Sequence, residues 1–414
     1  MKQITLSITF LLFLIVPSKG QTDVAVSMNT GYTDDVFVSM ANGEVSTVSS
    51  MDWDLAFDVS SSFSTSIRIN DGQGTQLFIW PNGTIDEWNE VDTVGLSAWG
   101  SINNELDSWD KGAFNVSNSG SPSDFSWGYY TGDPLHDVVG DSIYLLKTLT
   151  DDWKKVKIEL LDAGEWTFTL ADLDGNNEVQ ENFAMADYAE RNFVYYSVNN
   201  EAFLNREPEA NSWDLIFTRY YGQTAFGPGG TAGCLANKGI ELIQADGVDV
   251  SSVEFSDYVW VTEDISVIGN DWKGLNADFM WEIVADKCYF IKTLSGDIYK
   301  LIFTSFEGSE NGNLSYTTEL ITGSSIDESM SFDQLTLYPN PASEKLNVLL
   351  TSKQQDQANV SIKDITGNTL LNDFRNLSQG VNSMELNVQA LSSGMYILTV
   401  ETSSNSSVSR FIVK

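Results

Sequence analysis

Short runs in which apolar and polar residues alternate dominate this chain. In WDLAFD (53–58), Trp53, Leu55 and Phe57 fall on one face and Asp54, Ala56 and Asp58 on the other. A period of two marks a half-buried strand. The word returns as WDLIFT (213–218), where Trp213, Leu215 and Phe217 share a face. Further words recur in the same order: IYLLKTL (143–149) with CYFIKTL (288–294), KVKI (155–158) with KLIF (300–303), SWDKG (108–112) with NDWKG (270–274). Upstream, VFVSMANGEV (36–45) resembles FVYYSVNNEA (193–202). Turns rich in Gly, Asn and Asp separate the runs, and helical periodicity is scarce. The pattern predicts an all-β chain that opens with two tandem antiparallel β-domains, 22–185 and 186–322, each large enough for its own core. SNSGSPSDFSWGYYTGDPLHD (117–137) reads as a loop inserted in the first copy. Trp53 and Trp213 are expected in the cores, because aromatic burial dominates core energetics. Asp54 and Asp214 are expected to face solvent or a turn N–H.

Both ends depart from this pattern. Residues 1–20 join Lys2, an apolar run and the small-residue ending Ser18-Lys19-Gly20, the layout of a signal peptide cleaved after Gly20. No later stretch approaches the ~20 apolar residues of a transmembrane helix, so none is expected in the mature chain. Residues 323–334 are polar, acidic and Ser-rich, a linker. Residues 335–414 hold short runs such as LNVLL, NVSIKDI, MYILTVE and SRFIVK, and predict a C-terminal immunoglobulin-like β-sandwich of six or seven strands.

Charge narrows the partners. The chain carries 58 acidic and 22 basic residues, a formal charge of −36. Such a charge repels nucleic acid and anionic membrane surfaces, and favours solubility and cationic partners. Two cysteines in an exported chain, Cys234 and Cys288, are expected to form a disulfide, which would stabilise by roughly 4 kcal/mol. The alternative is two buried thiols.

Catalytic patterns are sparse. Gly140-Asp141-Ser142 spells a word of one lipase and esterase family, but no His follows to act as base. Clustered His and Cys for zinc are lacking, as is a Gly-rich phosphate loop. Carboxylate pairs suited to glycoside hydrolysis remain open among so many acids, with none singled out. Asp172, Asp174, Asn176 and Glu178 begin like a calcium loop, but Phe183 stands at the twelfth position, so a tight turn between strands is the better account.

Two resemblances add to this. Residues 335–414 resemble the type A sorting domain of proteins exported by the type IX secretion system. The matching residues are Leu337, Tyr338, Pro339, Asn340, Pro341 and Leu346, then Asp364, Gly367, Leu391, Gly394 and Tyr396, and the terminal Ile412, Val413 and Lys414. The resemblance implies engagement of the type IX machinery, passage across the outer membrane of a Gram-negative bacterium, and a secreted or outer-surface passenger. It also implies removal of the domain after export. The repeats resemble the HmuY-like family of exported haem-binding proteins. The words are WDLAF with Arg68 and Asn70, IYLLKT and KVKIEL in the first copy; WDLIF with Arg219, YFIKT, GDIYKLIFTSF and SYTTEL in the second. That resemblance implies haem held by paired His or paired Met. The chain has a single His, His136, so a bis-His site is excluded. His–Met and Met–Met pairs stay open, with His136 and Met280 as first candidates and Met40 and Met51 beside them. The expected function is non-enzymatic binding of haem, another small ligand or a surface glycan. The alternatives are a surface adhesin or structural module without a small ligand, and a carboxylate-based hydrolase.

Overall fold

The computed structural model describes residues 21–117, 119–132, 137–321, 332–338, 342–343, 345–352, 355–364, 369–378, 380–392, 394–402 and 406–414. The chain folds almost wholly into antiparallel sheets, as its alternation predicts. It forms two units, dividing after Thr322.

The first unit opens with β1 (Thr22–Ser27), β2 (Asp34–Ser39) and β3 (Gly43–Ser49). Then follow β4 (Leu55–Asp58), β5 (Ile67–Ile69), β6 (Gln76–Ile79), β7 (Gly128–Tyr130), β8 (Val138–Gly140), β9 (Ile143–Lys147), β10 (Trp153–Asp162), β11 (Glu165–Asp172), β12 (Val179–Ala184), β13 (Phe193–Ser197) and β14 (Ala202–Leu204). The last group is β15 (Leu215–Thr224), β16 (Gly227–Ala236), β17 (Glu241–Asp246), β18 (Lys273–Leu275), β19 (Trp281–Ile283), β20 (Lys287–Lys292), β21 (Ile298–Phe306) and β22 (Asn313–Ile321). In lobe A the sheet β14-β13-β4-β5 shares a core with the sheet holding β6 and β9 to β12. The expected insertion contains β7, which pairs with β8 just beyond it, and β8 lies beside β10. In lobe B the sheet β16-β15-β2-β3 shares a core with β1-β22-β21-β20-β17.

The lobes are therefore not laid end to end at 185/186. Lobe A is continuous and keeps β13 and β14. Lobe B borrows β1 to β3 from the far end of the chain. The reason is edge chemistry: β15 and β22 each offer unpaired backbone groups, and β2 and β1 satisfy them. Val26, Met28, Val36 and Val38 bury their side chains in lobe B as a result.

Register confirms which strands correspond. Leu55 pairs with Tyr196, and Leu215 with Val38. The equivalence of the two hairpins is thus one residue off the match of their words. Each Trp-Asp-Leu word is a clamp on its hairpin. The Asp54 N–H donates to Tyr196 O and that of Asp214 to Val38 O. Asp54 Oδ2 accepts the Val198 N–H at 2.9 Å, and Asp214 Oδ2 that of Met40 at 2.6 Å. Both carboxylates are buried on turn amides rather than facing solvent. Asn70 Nδ2 donates to Ser50 O and Trp53 O, and Asn237 Nδ2 donates to Ala210 O and Trp213 O.

This turn at the Asp breaks the expected alternation. Leu55 and Phe57 enter the core of lobe A, but Trp53 joins Ala56 and Tyr195 on the opposite face. Trp213 likewise leaves Leu215 and Phe217 to pack with Phe37 and Ile216. Trp53 meets Tyr195, and Trp213 meets Phe37, edge to face with centroids 5.0 Å apart in both. Those faces form the seam between lobes. There Arg206 pairs with Asp35 at 2.8 Å, both almost fully buried, and Trp109 Nε1 donates to Ala236 O. Removing either partner would leave the other charge buried and unpaired.

The expected disulfide is absent. Cys234 and Cys288 are free and buried. Cys234 belongs to the inner core of lobe B, whereas Cys288 packs with Ile243 and Phe290 in a separate cluster covered by Val253 and Trp260. Side chains committed to different clusters cannot meet the close Cβ approach a disulfide requires.

The second unit holds β23 (Phe332–Tyr338), β24 (Lys345–Ser352), β25 (Asp356–Asp364), β26 (Thr369–Leu377), β27 (Gly380–Asn387), β28 (Gly394–Glu401) and β29 (Ser406–Val413). Sheets β23-β24-β27 and β26-β25-β28-β29 enclose Leu346, Val348, Ile362, Leu398 and Phe411. β23 begins inside the expected linker. The leader 1–20, linker residues 323–331, His136, Pro339, Asn340, Pro341 and Gly367 lie outside the described residues.

Candidate functional site

The first unit has an opening whose lining, among the described residues, holds no charged side chain. It is a cavity of about 320 Å³ at the mouth of lobe B. Val24 of β1 and Met40 and Asn42 of the β2–β3 turn form one side; Tyr299 of β21 and Tyr316 and Thr318 of β22 form the other. Alternation along β22 puts Tyr316, Thr318 and Leu320 on the cavity face. Burial raises the Tyr316 phenol well above its usual range. It raises that of Tyr299 too, with Asp297 and Asp214 adding to the shift. Both phenols are therefore neutral. Thr318 is 9% exposed, and its hydroxyl has no hydrogen-bond partner. Such a group costs about 1–3 kcal/mol when left unmade.

The matching place in lobe A is filled. Register sets Leu170 against Thr318, Phe168 against Tyr316, Glu181 against Val24 and Tyr196 against Val38. Phe203, opposite Tyr196, meets the rings of Tyr196 and Phe183 at 5.1 Å and Phe168 at 6.3 Å. Tyr196 Oη donates to Glu181. In lobe B the residue opposite Val38 is Glu44, which is exposed and accepts a hydrogen bond from Thr47. The bulge between Phe37 and Val38 and the shorter turn remove the plug.

Other features are occupied by structure. A cleft of about 430 Å³ along the seam is lined by Asp107, Asp110, Lys111, Lys238, Glu263 and Asp264. Lys111 is paired with Glu105 and Asp107, and Lys238 with Asp58 and Asp110. Burial also moves the ionisation of Glu207, Asp71 and Lys273. Burial raises Glu207 to about 7 and Asp71 to about 6, and lowers Lys273 to about 7. Each is held by the fold: Glu207 by the Asn192 N–H and the Tyr195 hydroxyl, Asp71 by the Asn104 N–H, Lys273 by Ala232 O.

Of the candidates read from sequence, Met40 lines the cavity, while Met280 is 64% exposed on the β18–β19 turn and Met51 is exposed. Ser142 donates to Ser126 O and to Asp141. Glu178 accepts the Trp88 indole N–H, and Asp172 pairs with Lys154, so the calcium-like word is a hairpin turn anchored by its neighbours. Among the described residues no group of three His, Cys, Asp or Glu side chains is placed to hold a metal ion. None of their helices is long and apolar enough to cross a membrane.

At the other end of the chain, the family model described as "Secretion system C-terminal sorting domain" matches residues 336–414. This stretch is a type IX sorting domain. The sorting domain marks the protein for export by the type IX secretion system, as a secreted or cell-surface protein of Gram-negative bacteria of the Bacteroidetes type. Within it Gly394 opens β28, Tyr396 is buried with its hydroxyl on Ser392 O, and Lys414 is exposed. Tyr338 closes β23 opposite Asn347.

No curated protein matches the chain. Among solved structures, the crystal structure of dimeric latent PorU from Porphyromonas gingivalis aligns with 67% of this chain at 11% identity and a TM-score of 0.17. The alignment spans 31% of that protein, and at this TM-score it says nothing about fold or chemistry here.

Proposed function

We propose that this protein is a surface-displayed, non-enzymatic binder of a small ligand, with the mouth of lobe B as its site. One observation carries the reading: a cavity left open where the corresponding place in lobe A is packed shut by aromatic rings. Ligand sites are concave, largely apolar and carry few polar groups, and they favour the mouths of β-barrels and similar β-folds. The two lobes resemble HmuY-like domains, and haem is the ligand that resemblance suggests. The leader at 1–20 would start the protein on its export route.

Titrating the purified protein with haemin, and with panels of glycans and small aromatics, tests the reading. A Soret shift, or a rise in melting temperature with any small compound, supports it. Tight retention on a glycan array with no response to any small compound would favour an adhesin. Release of reducing sugar from polysaccharides would favour a carboxylate hydrolase instead.

A further inference from the structure

We infer that Asn42, at the rim of the lobe B mouth, is a site of spontaneous deamidation, where the chain turns its own side-chain amide into a carboxylate. The reaction needs only water and stands apart from ligand binding. The chain holds three Asn-Gly pairs: Asn42-Gly43, Asn82-Gly83 and Asn311-Gly312. In such a pair the glycine amide nitrogen attacks the Asn Cγ. The new C–N bond closes a five-membered imide. The side-chain nitrogen leaves as ammonia, taking the proton that the backbone nitrogen gives up. Water then opens the ring. Breaking the bond to Cγ yields Asp; breaking the bond to the backbone carbonyl carbon yields isoAsp, whose main chain runs through the former side chain. Glycine favours the step because it has no Cβ to crowd the attacking nitrogen and adopts backbone angles closed to other residues.

The fold separates the three pairs. Asn42 is exposed in the β2–β3 turn, and its Nδ2 makes a long hydrogen bond to Ser39 Oγ, at 3.4 Å. An added Cβ at Gly43 would meet no atom within 4 Å, so the ring has room to form. Asn82 is exposed as well, but a Cβ at Gly83 would lie 2.8 Å from both the Glu87 carboxylate and the Trp80 ring. The Thr84 N–H and hydroxyl pin that carboxylate in place. Asn311 sits in a clamp. Gly312 is buried, its N–H donates to Gly308 O at 2.9 Å, and its carbonyl accepts the Met28 N–H at 2.9 Å. A Cβ there would lie 2.0 Å from Asn29 O. The attacking nitrogen of this pair is engaged and crowded, so it reacts only after local opening.

The product changes the place where it forms. Asn42 belongs to a lining that, among the described residues, holds no charged side chain. Close by in the turn, Asp214 Oδ2 accepts the Met40 N–H, and burial already holds that carboxyl above its usual range. A carboxylate at position 42 adds like charge two residues from that bond. IsoAsp also adds one carbon to the main chain of a turn in which Ser39 pairs with Gly43. Both products loosen the grip of Asp214 on the turn.

The test incubates the full-length protein, folded, in warm, mildly alkaline buffer, with a portion unfolded in urea alongside. Peptide mapping by mass spectrometry reads each pair, and electron-transfer fragmentation separates Asp from isoAsp. In urea all three should convert at similar rates. In the folded protein Asn42 should convert, with isoAsp among its products. Asn311 should be at least about tenfold slower, the factor that an opening cost of about 1.4 kcal/mol imposes. Asn82 should fall between them. Ion exchange should resolve a more acidic form as Asn42 converts. Asn42→Gln, whose imide would need a six-membered ring, should remove most of that form while the protein stays folded by circular dichroism. Asn42→Asp should co-elute with the acidic form and speed amide exchange at Met40. Asn42 left intact while the urea sample converts overturns the inference, as does a smaller separation from Asn311. Unchanged exchange at Met40 in Asn42→Asp overturns the loosening of the turn.

Discussion

Lobes A and B use the same strand framework for opposite ends. Each has a Trp-Asp-Leu clamp, a buried Asp on the turn amide of its hairpin, an Asn bracing the preceding turn, and a larger sheet behind, five-stranded in lobe B and seven-stranded in lobe A. They differ where packing is locally decided. Lobe A drives Phe203 and Tyr196 into its mouth and closes it with aromatic contacts. Lobe B puts Val38 and Glu44 at those places, and Glu44 stays in solvent. The backbone scheme tolerates either outcome, so the difference between a solid lobe and one with an open mouth rests on a few side chains and one turn. The lobes also differ in how they are completed: lobe A by the chain that follows it, lobe B by the chain's beginning.

Deleting residues 21–49 should separate the lobes most sharply. Lobe B would lose three strands and the buried Val26, Met28, Val36 and Val38. Hydrogen exchange should show protection lost through 215–321 and retained through 55–204. Loss of protection in both halves alike would show that lobe A depends on its neighbour. Phe203→Val should narrow the difference from the other side. It should cost about 1–2 kcal/mol in denaturant unfolding, since the ring is only partly buried. Unchanged stability would mean that Phe203 does not fill that mouth.

Glu207 offers a smaller effect with a definite sign. Its native affinity for a proton is raised from the usual 4.5 to about 7 by burial, so the folded state binds more proton than the unfolded one across that interval. Stability from this group is present below about pH 4.5 and declines as pH rises to about 7. Glu207→Gln should flatten that part of the stability–pH curve, and an identical slope in the variant would count against the assignment. The least effect concerns the thiols. With Cys234 and Cys288 free and buried, reductant should leave the melting temperature unchanged. Both should react with iodoacetamide only after unfolding, without prior reduction. A reductant-dependent fall in melting temperature would mean a bridge forms after all.

Much of the strand framework could be read from residue order, because alternation is a local property. The words around Leu55 and Leu215, and those around Tyr144 and Tyr289, do occupy corresponding strands. The sorting domain was legible because its residues recur at a set distance from the terminus. What escaped was decided by long-range pairing. Nothing near Thr22 announces that its partner is Thr318. Alternation puts Trp53 beside Leu55 and Trp213 beside Leu215, but the buried Asp after each turns the chain before the strand begins and sends both rings to the opposite face. The open mouth could not be read at all. It appears only when Val38 is matched to Tyr196 by backbone pairing, one residue away from where the words align. The disulfide failed for a related reason: composition suggested a bond, and packing sent the two sulfurs to separate clusters.

The antiparallel pairing of β1 with β22 sets Thr22 opposite Thr318, three residues short of the strand's end at Ile321. The described residues of the first unit therefore begin and end side by side. A pull applied between those two points would peel the pair apart one rung at a time, not shear it along its length. Under load, lobe B would unzip from its mouth inward, spilling whatever the mouth held.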